Sequence, residues 1–143
     1  MSNVWEIKTE TIEAALHFSK IGAYAGFFWC FQTVLGVIIA VFSNPDYNFN
    51  SGIYLYFGEK AFVFLFAWIL ALRVHSGKGH LSAIVLLVSY IGYRILLFIA
   101  EPTIFVGFLV TGFMVYAMYA GVLGTQAVRR FSLNKDQDVS VFD

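Results

Sequence analysis

Residues 81–128 read LSAIVLLVSYIGYRILLFIAEPTIFVGFLVTGFMVYAMYAGVLGTQAV, and this apolar run decides the fold. As one α-helix it would be about 72 Å long at 1.5 Å per residue, whereas the hydrocarbon core of a bilayer is about 30 Å thick. The chain must therefore reverse inside the run. Glu101-Pro102 marks the place, because proline suits the first turn of a new helix and disfavours helix at the residue before it. We predict two membrane crossings, 81–100 and 103–128, joined by a tight hairpin.

Two further apolar runs precede this one. Residues 21–42 contain no ionisable side chain except Cys30, and residues 52–72 form the second run of sufficient length. Since about 20 mostly apolar residues span the hydrocarbon core, each run predicts one crossing. We therefore predict an all-α integral membrane protein in which residues 21–128 form an antiparallel four-helix transmembrane bundle.

The composition agrees with a membrane location. Of the 143 residues, 59% are hydrophobic and 13% are charged, with a formal net charge of zero. A soluble domain averages about 25% charged residues. This balance excludes a nucleic-acid binder, a disordered regulator and most soluble enzymes. The one cysteine, Cys30, forms no internal disulfide and supports no zinc framework. We expect membrane lipids, and no nucleic acid, among the partners.

The segments outside the predicted crossings are short. Residues 1–20 carry polar and apolar side chains on opposite faces at helical spacing. This pattern predicts a short amphipathic helix that lies in the membrane interface and continues into the first crossing. A helix that docks onto a partner protein would show the same pattern. Residues 129–143 form a polar tail, which we predict to be disordered after Phe131. The polar positions of the first segment are Glu10, Glu13, His17 and Lys20, and the apolar ones are Trp5, Ile12 and Leu16.

Lysines and arginines outside the crossings predict the orientation. The positive-inside rule places segments rich in these residues in the cytoplasm. The connections 43–51 and 101–102 carry none. The N-terminal segment, the connection 73–80 and the tail carry Lys8, Lys20, Arg73, Lys78, Arg129, Arg130 and Lys135. We therefore predict a multi-pass protein of the cell membrane (inner or plasma membrane) with both termini in the cytoplasm.

Small side chains indicate where the helices pack. Lipid tails are as apolar as leucine, so transmembrane helices associate through close contact between small residues. In the first and fourth crossings such residues recur at steps of three or four. The glycines among them are Gly22, Gly26, Gly36, Gly107, Gly121 and Gly124. These faces serve either packing inside one chain or a dimer seam between two copies, and the pattern fits both.

Four charged residues fall within or beside the apolar spans, away from the cytoplasmic side: Glu59, Lys60, Arg94 and Glu101. Counting along the helices puts Glu59 about 10 Å and Arg94 about 9 Å below the outer surface. Two antiparallel neighbours would bring these opposite charges to one level, so we predict a Glu59–Arg94 ion pair. Lys60 is turned about 100° from Glu59 and is expected to extend toward the outer headgroups instead.

Other polar residues reach a similar depth. Tyr90, Arg94 and Glu101 share one face of the third crossing, because steps of four and seven return to nearly the same side of a helix. The predicted cluster is Glu59, Arg94, Tyr56, Tyr90, Glu101, Gln32 and Thr111. Two interpretations stay open. The cluster either locks the register of the helices, or lines an outward-open pocket for a small anionic or zwitterionic ligand, a lipid headgroup or a proton.

No sequence pattern indicates catalysis. The usual catalytic and phosphate-binding motifs are missing, and no cofactor is predicted. His17, His75 and His80 lie on the predicted cytoplasmic side, so neither a haem nor another metal is expected. The leading interpretation is a non-catalytic accessory or scaffold subunit of a larger complex, or a homo-oligomer. The alternative is a small transporter or a bundle that binds a ligand or lipid headgroup. An intramembrane enzyme acting on lipid, with Glu59 or Glu101 as acid or base, ranks last.

Overall fold

A computed structural model describes residues 11–43, 51–100 and 107–139 of the chain. These residues form four helices: α1 Ile12–Ser43, α2 Ser51–His75, α3 His80–Ala100 and α4 Gly107–Val139. No strand occurs in the part of the chain that the structure describes. All four helices are long and apolar enough to cross a bilayer. The described fold is therefore all-helical, and its four helices indicate a multi-pass membrane protein.

Two helices extend beyond the predicted crossings at their polar ends. α1 already begins at Ile12, so the predicted interfacial segment joins the first crossing without a break from that residue onward. The first ten residues lie outside the described part. α4 continues to Val139, so the prediction of a disordered tail is wrong for residues 132–139. Neither glycine nor proline follows Gly124, so nothing in the sequence stops the helix there. The predicted hairpin at Glu101-Pro102 also lies outside the described residues.

The helices pack in a ring that follows their order in the chain. α1 packs extensively against α2 and α4, α3 packs against the same two helices, and α1 and α3 touch only slightly across the middle. Along the seam between α1 and α4, Gly22 lies against Gly121 and Ser19 lies against Gly124. The residue numbers therefore rise along one helix as they fall along the other. Each helix contacts its neighbours in sequence, as is usual when connections are short.

Small residues set the distance between α1 and its neighbours. A Cβ added to Gly121 would lie 2.7 Å from the Cα of Gly22, and one added to Gly124 would lie 2.6 Å from a carbonyl oxygen of α1. These two backbones therefore touch directly. Gly26 meets α2, where an added Cβ would lie 2.8 Å from the Cβ of Ala71. The glycine faces of α1 and α4 are thus used for packing inside the chain.

Burial divides the bundle into two halves. Every fully buried residue that the structure describes lies in one half, which we call the packed end: α1 up to Thr33, α2 from Ala67 through the connection to α3, α3 up to Tyr90, and α4 from Met114. The remaining described residues of the four helices form the open end, where none is fully buried. Alanine and serine concentrate in the packed end, and with the glycines of the helix contacts they let the backbones approach.

Two of the predicted packing glycines lie in the open end. A Cβ added to Gly36 would meet nothing within 4 Å, so Gly36 does not pack against another described helix of this chain. Its spacing continues the stripe of Gly22 and Gly26, but α1 has moved away from its neighbours at that height. Gly107 is the first residue of α4 and is half-buried. The spacing of small residues alone does not show where a bundle opens.

The outer surface of the bundle is apolar. Large hydrophobic side chains are exposed along all four helices, and Leu109, Phe42 and Leu55 are 88%, 82% and 80% exposed. Soluble monomers rarely expose contiguous apolar patches larger than a few hundred Å². A surface of this kind is suited to contact with lipid tails rather than with water.

Candidate functional site

A polar cavity of about 290 Å³ lies between α1, α2 and α3. It begins at the edge of the packed end, where Trp29 and Tyr90 are buried, and extends into the open end. Its lining residues are Trp29, Gln32, Thr33, Gly36, Tyr56, Lys60, Tyr90, Tyr93, Arg94 and Leu97. No aspartate or glutamate is among them.

Lys60 is the cation that α2 supplies to the cavity. Its Nζ donates to the Tyr93 hydroxyl at 3.0 Å and to Glu59 Oε1 at 3.0 Å. The ammonium also lies 5.2 Å and 5.3 Å from the ring centroids of Tyr56 and Tyr93, within the range of a cation–π contact. The bond to Tyr93 joins α2 to α3. Lys60 is therefore held in the wall of the cavity by two aromatic residues and one carboxylate.

Arg94 is the cation that α3 supplies. Its Nε donates to the Tyr90 hydroxyl at 3.2 Å, and its Cζ lies 5.6 Å from the Tyr90 ring centroid. Tyr90 and Arg94 are four residues apart on one helix, so their side chains lie on the same face. Tyr90 itself is fully buried, which fixes the position of its hydroxyl. The Arg94 guanidinium thus borders the cavity and is held there by the buried Tyr90.

The predicted ion pair between Glu59 and Arg94 is wrong. The structure pairs Glu59 with Lys60, its neighbour on the same helix, and the side chain of Glu59 is 57% exposed whereas that of Lys60 is 15% exposed. The two charges of α2 do face different directions, as predicted, but Lys60 faces the interior. The reason is the rotation of α2, which is set by the contacts of Ala67 with the core. Lys60 lies seven residues before Ala67 and therefore on the same face.

Trp29 contributes a donor that has no acceptor. The indole is 3% exposed, and its Nε1 is buried with no hydrogen-bond partner among the described residues. Its ring meets Tyr90 edge-on at a centroid distance of 5.3 Å and lies 5.8 Å from the Tyr93 ring. Most buried polar groups are hydrogen-bonded, so an unpartnered N–H in a residue that lines a polar cavity is notable.

The structure brings together four of the seven predicted cluster residues. Gln32, Tyr56, Tyr90 and Arg94 line the cavity, whereas Glu59 does not. Thr111 lines a neighbouring cavity of about 70 Å³ between α3 and α4, which also has Arg94 and Gly107 in its wall. The Thr111 hydroxyl donates to the Gly107 carbonyl oxygen at 2.7 Å. Glu101 lies outside the described residues.

Four lining residues with polar groups were not in the predicted cluster: Trp29, Thr33, Lys60 and Tyr93. A sequence signal existed for Lys60 and Tyr93. On α2 the small residues Ala67 and Ala71 mark the packed face, and Lys60 continues that face by one heptad. On α3, Tyr93 follows the buried Tyr90 by three residues. No such signal distinguishes Trp29, because nothing in the sequence shows that its N–H lacks an acceptor.

Tightly packed side chains lie beyond Trp29 and Tyr90. Cys30, Ala67 and Leu86 are buried in the core there, at 1%, 0% and 1% exposure. The Cys30 thiol lies 3.6 Å from the Phe64 carbonyl oxygen and is occupied by that contact. The cavity therefore ends against a filled core.

The histidines lie apart from this cavity. His17 and His75 are exposed, and His80 Nδ1 lies 3.4 Å from the Thr125 hydroxyl. Among the described residues, no group of three histidine, cysteine, aspartate or glutamate side chains is placed to hold a metal ion.

Cations and hydroxyl groups dominate the polar part of the cavity lining. Lys60 and Arg94 bring two positive charges to its wall, Tyr56, Tyr90 and Tyr93 bring hydroxyl groups, and no carboxylate lines it. Ammonium and guanidinium groups bind carboxylate and phosphate oxygens through short, charge-assisted hydrogen bonds. Such bonds are strongest where little water competes, as at the base of a partly buried cavity.

No protein-family model, no curated protein and no solved structure matches the chain.

Proposed function

We propose that this protein is a multi-pass membrane protein that binds a small anionic group in the cavity between α1, α2 and α3. The single observation that carries the proposal is the placement of Lys60 and Arg94 in one cavity wall that contains no carboxylate. A charged side chain in the centre of a bilayer costs roughly 2.5–3.5 kcal/mol on insertion scales. Glu59 already pairs with Lys60, whereas Arg94 has no carboxylate partner among the described residues, so an anion in the cavity would chiefly offset the cost of Arg94.

The arrangement in the membrane is part of the proposal. The helices would cross the bilayer as an antiparallel bundle, because Gly22 meets Gly121 and Ser19 meets Gly124 in opposite chain order. The excess of lysine and arginine at the packed end favours the cytoplasm for that end and for both termini. The cavity would then open toward the outer leaflet of the cell membrane.

The alternative role of the charges, as a lock between helices, is weakly supported. An interhelical lock needs a cation and a carboxylate on different helices. Glu59 and Lys60 are neighbours on α2, and the Glu59 carboxylate points outward. Among the described residues, this group joins α2 to α3 through Lys60 and Tyr93, by a hydrogen bond and a cation–π contact. Intramembrane hydrogen bonds average only about 0.6 kcal/mol in one well-measured system, so this bond alone does not explain two half-buried cations.

The size of the cavity limits the ligand. Pockets for drug-sized ligands span about 300–1,000 Å³, so a cavity of about 290 Å³ suits a small carboxylate, a phosphate or the headgroup of a lipid. The filled core beyond Trp29 and Tyr90 favours binding over passage. Transport through this bundle would require the packed end to separate, at the cost of its direct backbone contacts.

A second candidate function, that of a non-catalytic subunit or homo-oligomer, has its own observation. An apolar groove of about 620 Å³ runs between α1 and α4 on the outside of the bundle. Its lining residues are Ile21, Tyr24, Ala25, Phe28, Leu109, Val110, Phe113, Met114 and Ala117. A helix of another subunit or a lipid tail would fill such a groove. Gly22, Gly26, Gly121 and Gly124 do not support this candidate, because the chain packs them internally.

A thermal-shift experiment tests the anion proposal. The purified protein in detergent is heated with sodium succinate, sodium glycerol phosphate or sodium chloride at equal ionic strength. A ligand at one hundred times its Kd stabilises the folded protein by about 2.7 kcal/mol. We expect succinate or glycerol phosphate, but not chloride, to raise the Tm of the wild type.

Matched variants make the result specific. Lys60→Gln and Arg94→Gln should lose the response to the anion. Lys20→Gln, which removes an equal charge from an exposed position on α1, should keep it. If Lys60→Gln does not fold, Tyr93→Phe takes its place in the test, because this variant retains both cations. Equal shifts in wild type, Lys60→Gln and Lys20→Gln would refute the proposal.

A further inference from the structure

A second polar cavity lies at the packed end, at the connection between α2 and α3. Its volume is about 340 Å³. Its lining residues are Arg73, Ser76, Lys78, Gly79, His80, Leu81 and Ser82. Two of these are permanently cationic, one is a histidine, and none is acidic.

The first turn of α3 presents its backbone N–H groups to this cavity. The first intrahelical bond of α3 runs from the Ala83 N–H to the Gly79 carbonyl oxygen at 2.8 Å. The N–H groups of His80, Leu81 and Ser82 therefore have no acceptor within the helix, and Gly79 has no side chain that could cap them. A helix N-terminus also carries about half a positive charge. Unsatisfied N–H groups at such a position favour a bound anion.

Ser82 provides an independent indication of a ligand. The residue is only 6% exposed, and its side chain lines the cavity. Its hydroxyl has no hydrogen-bond partner among the described residues, whereas the other serine buried nearby, Ser19, donates to the Val74 carbonyl oxygen. The Ser82 oxygen reaches the cavity, since Trp29 Nε1 is the one fully enclosed side-chain N or O atom without a partner among the described residues. The Ser82 hydroxyl and the free N–H groups of the same turn are thus available to one acceptor in the cavity.

The connection holds Arg73 beside the start of α3. α2 ends because Gly77 adopts a left-handed conformation with a φ of 74°, which glycine tolerates best. Gly79 then passes so close to Arg73 that an added Cβ would lie 2.9 Å from the Arg73 carbonyl oxygen. The cationic last turn of α2 and the first turn of α3 are therefore fixed next to each other. The path of the backbone at Gly77 and Gly79 therefore fixes the shape of the cavity between them.

We propose that this cavity binds a phosphate group. Three backbone N–H groups, the Ser82 hydroxyl, Arg73 and Lys78 together offer donors to several oxygens of one tetrahedral anion. The phosphate belongs either to an anionic phospholipid at this surface of the bilayer or to a soluble phosphate. The site lies at the opposite end of the bundle from the cavity of Lys60 and Arg94 and does not depend on it.

Native mass spectrometry of the full-length protein in detergent tests the proposal. The probes are phosphatidylglycerol, a galactosyl diacylglycerol without phosphate, and inorganic phosphate. We expect the wild type to retain phosphatidylglycerol or inorganic phosphate at least tenfold better than the galactolipid. If the protein retains phosphatidylglycerol and inorganic phosphate displaces it, the bound phosphate group belongs to the lipid. If the protein retains inorganic phosphate alone, the bound group is the soluble ion. Equal retention of galactolipid and phosphatidylglycerol, with no phosphate bound, would overturn the proposal.

Variants separate a built site from a generally basic surface. Arg73→Gln combined with Lys78→Gln should weaken retention of the phosphate probe at least tenfold. The control, Arg129→Gln combined with Arg130→Gln, removes the same charge from exposed positions on α4 and should leave retention unchanged. Ser82→Ala, which changes no charge, should weaken retention severalfold and keeps the test valid if the double variant does not fold. Equal losses in both double variants, or no loss with Ser82→Ala, would contradict the proposal.

The two anion proposals fail independently. Lys60→Gln combined with Arg94→Gln should leave retention of the phosphate probe at the packed end unchanged. If this variant alone loses the probe, the anion binds in the cavity between α1, α2 and α3 and the packed-end site is refuted.

Discussion

Replacing Gly121 by alanine should weaken the seam between α1 and α4. The added Cβ would lie 2.7 Å from the Cα of Gly22, whereas ordinary Cβ contacts begin at 3.4 Å. The two helices must therefore move apart by about 0.7 Å. The atom in the way belongs to the backbone and cannot rotate aside, so the whole seam has to shift. Overpacking of this kind costs about 1–3 kcal/mol.

Gly112 offers a matched control on the same helix. It is exposed, and an added Cβ there would meet nothing within 4 Å. Alanine in place of glycine favours a helix by about 0.8–1.0 kcal/mol at either position. The difference between Gly121→Ala and Gly112→Ala therefore isolates the contact with α1. We expect Gly121→Ala to be less stable than Gly112→Ala by about 1–3 kcal/mol.

The assay is reversible unfolding in mixed micelles with a rising fraction of sodium dodecyl sulfate, followed by circular dichroism. Gly22→Ala should behave like Gly121→Ala. The double variant should cost less than the sum of the two, because the separation that one added Cβ forces also makes room for the other. Equal stability of Gly121→Ala and Gly112→Ala would refute the packing of α1 against α4 described above.

Two further pairs of variants test other contacts by the same assay. Tyr93→Phe removes the hydrogen bond from Lys60 and should destabilise the bundle by about 0.6–1.7 kcal/mol, whereas Tyr54→Phe, at an exposed position, should change nothing. No loss with Tyr93→Phe would mean that this bond does not join α2 to α3. Gly77→Ala places a side chain on a left-handed residue and should cost about 1–2 kcal/mol, whereas Gly58→Ala, with open space around it, should be neutral or stabilising. A stable Gly77→Ala protein would show that the helix end does not need glycine.

The four helices could be predicted because their signal is long and simple. An apolar run of about 20 residues identifies a crossing regardless of what the helix packs against. The polar ends of the helices were harder to predict, since hydropathy marks the limits of the hydrocarbon core and not the limits of the helix. α1 therefore begins before the predicted crossing at residue 21, and α4 continues past residue 128 to Val139.

The packing glycines could be predicted only in part. Gly22, Gly26, Gly121 and Gly124 lie at contacts between helices, because small residues on facing helices reinforce each other there. Gly36 follows the same spacing but lies where α1 has left its neighbours. The spacing of small residues shows which face of a helix can pack closely. It does not show how far along the helix a neighbouring helix stays in contact.

The level of the buried charges could be predicted, but their directions could not. Depth follows from counting residues at 1.5 Å each, and it places Lys60, Glu59 and Arg94 at similar heights. The direction of a charged side chain depends on the rotation of its helix. The assumption that opposite charges pair predicted that rotation wrongly. The better guide was the small-residue face of α2, since Ala67 and Ala71 identify Lys60 as the inward residue. Packing, which involves many contacts, fixes the rotation more firmly than one ion pair does.

The central claim is that Lys60 and Arg94 hold an anion in the cavity at the open end. Native mass spectrometry of the protein extracted gently with its own lipids tests this most directly, because it reports what the wild type retains. We expect a bound species that carries a carboxylate or phosphate group, is present in the wild type and in Lys20→Gln, and is lost from Lys60→Gln combined with Arg94→Gln. The same bound species in equal amounts in all three proteins, or a wild type that retains no such species, would contradict the claim.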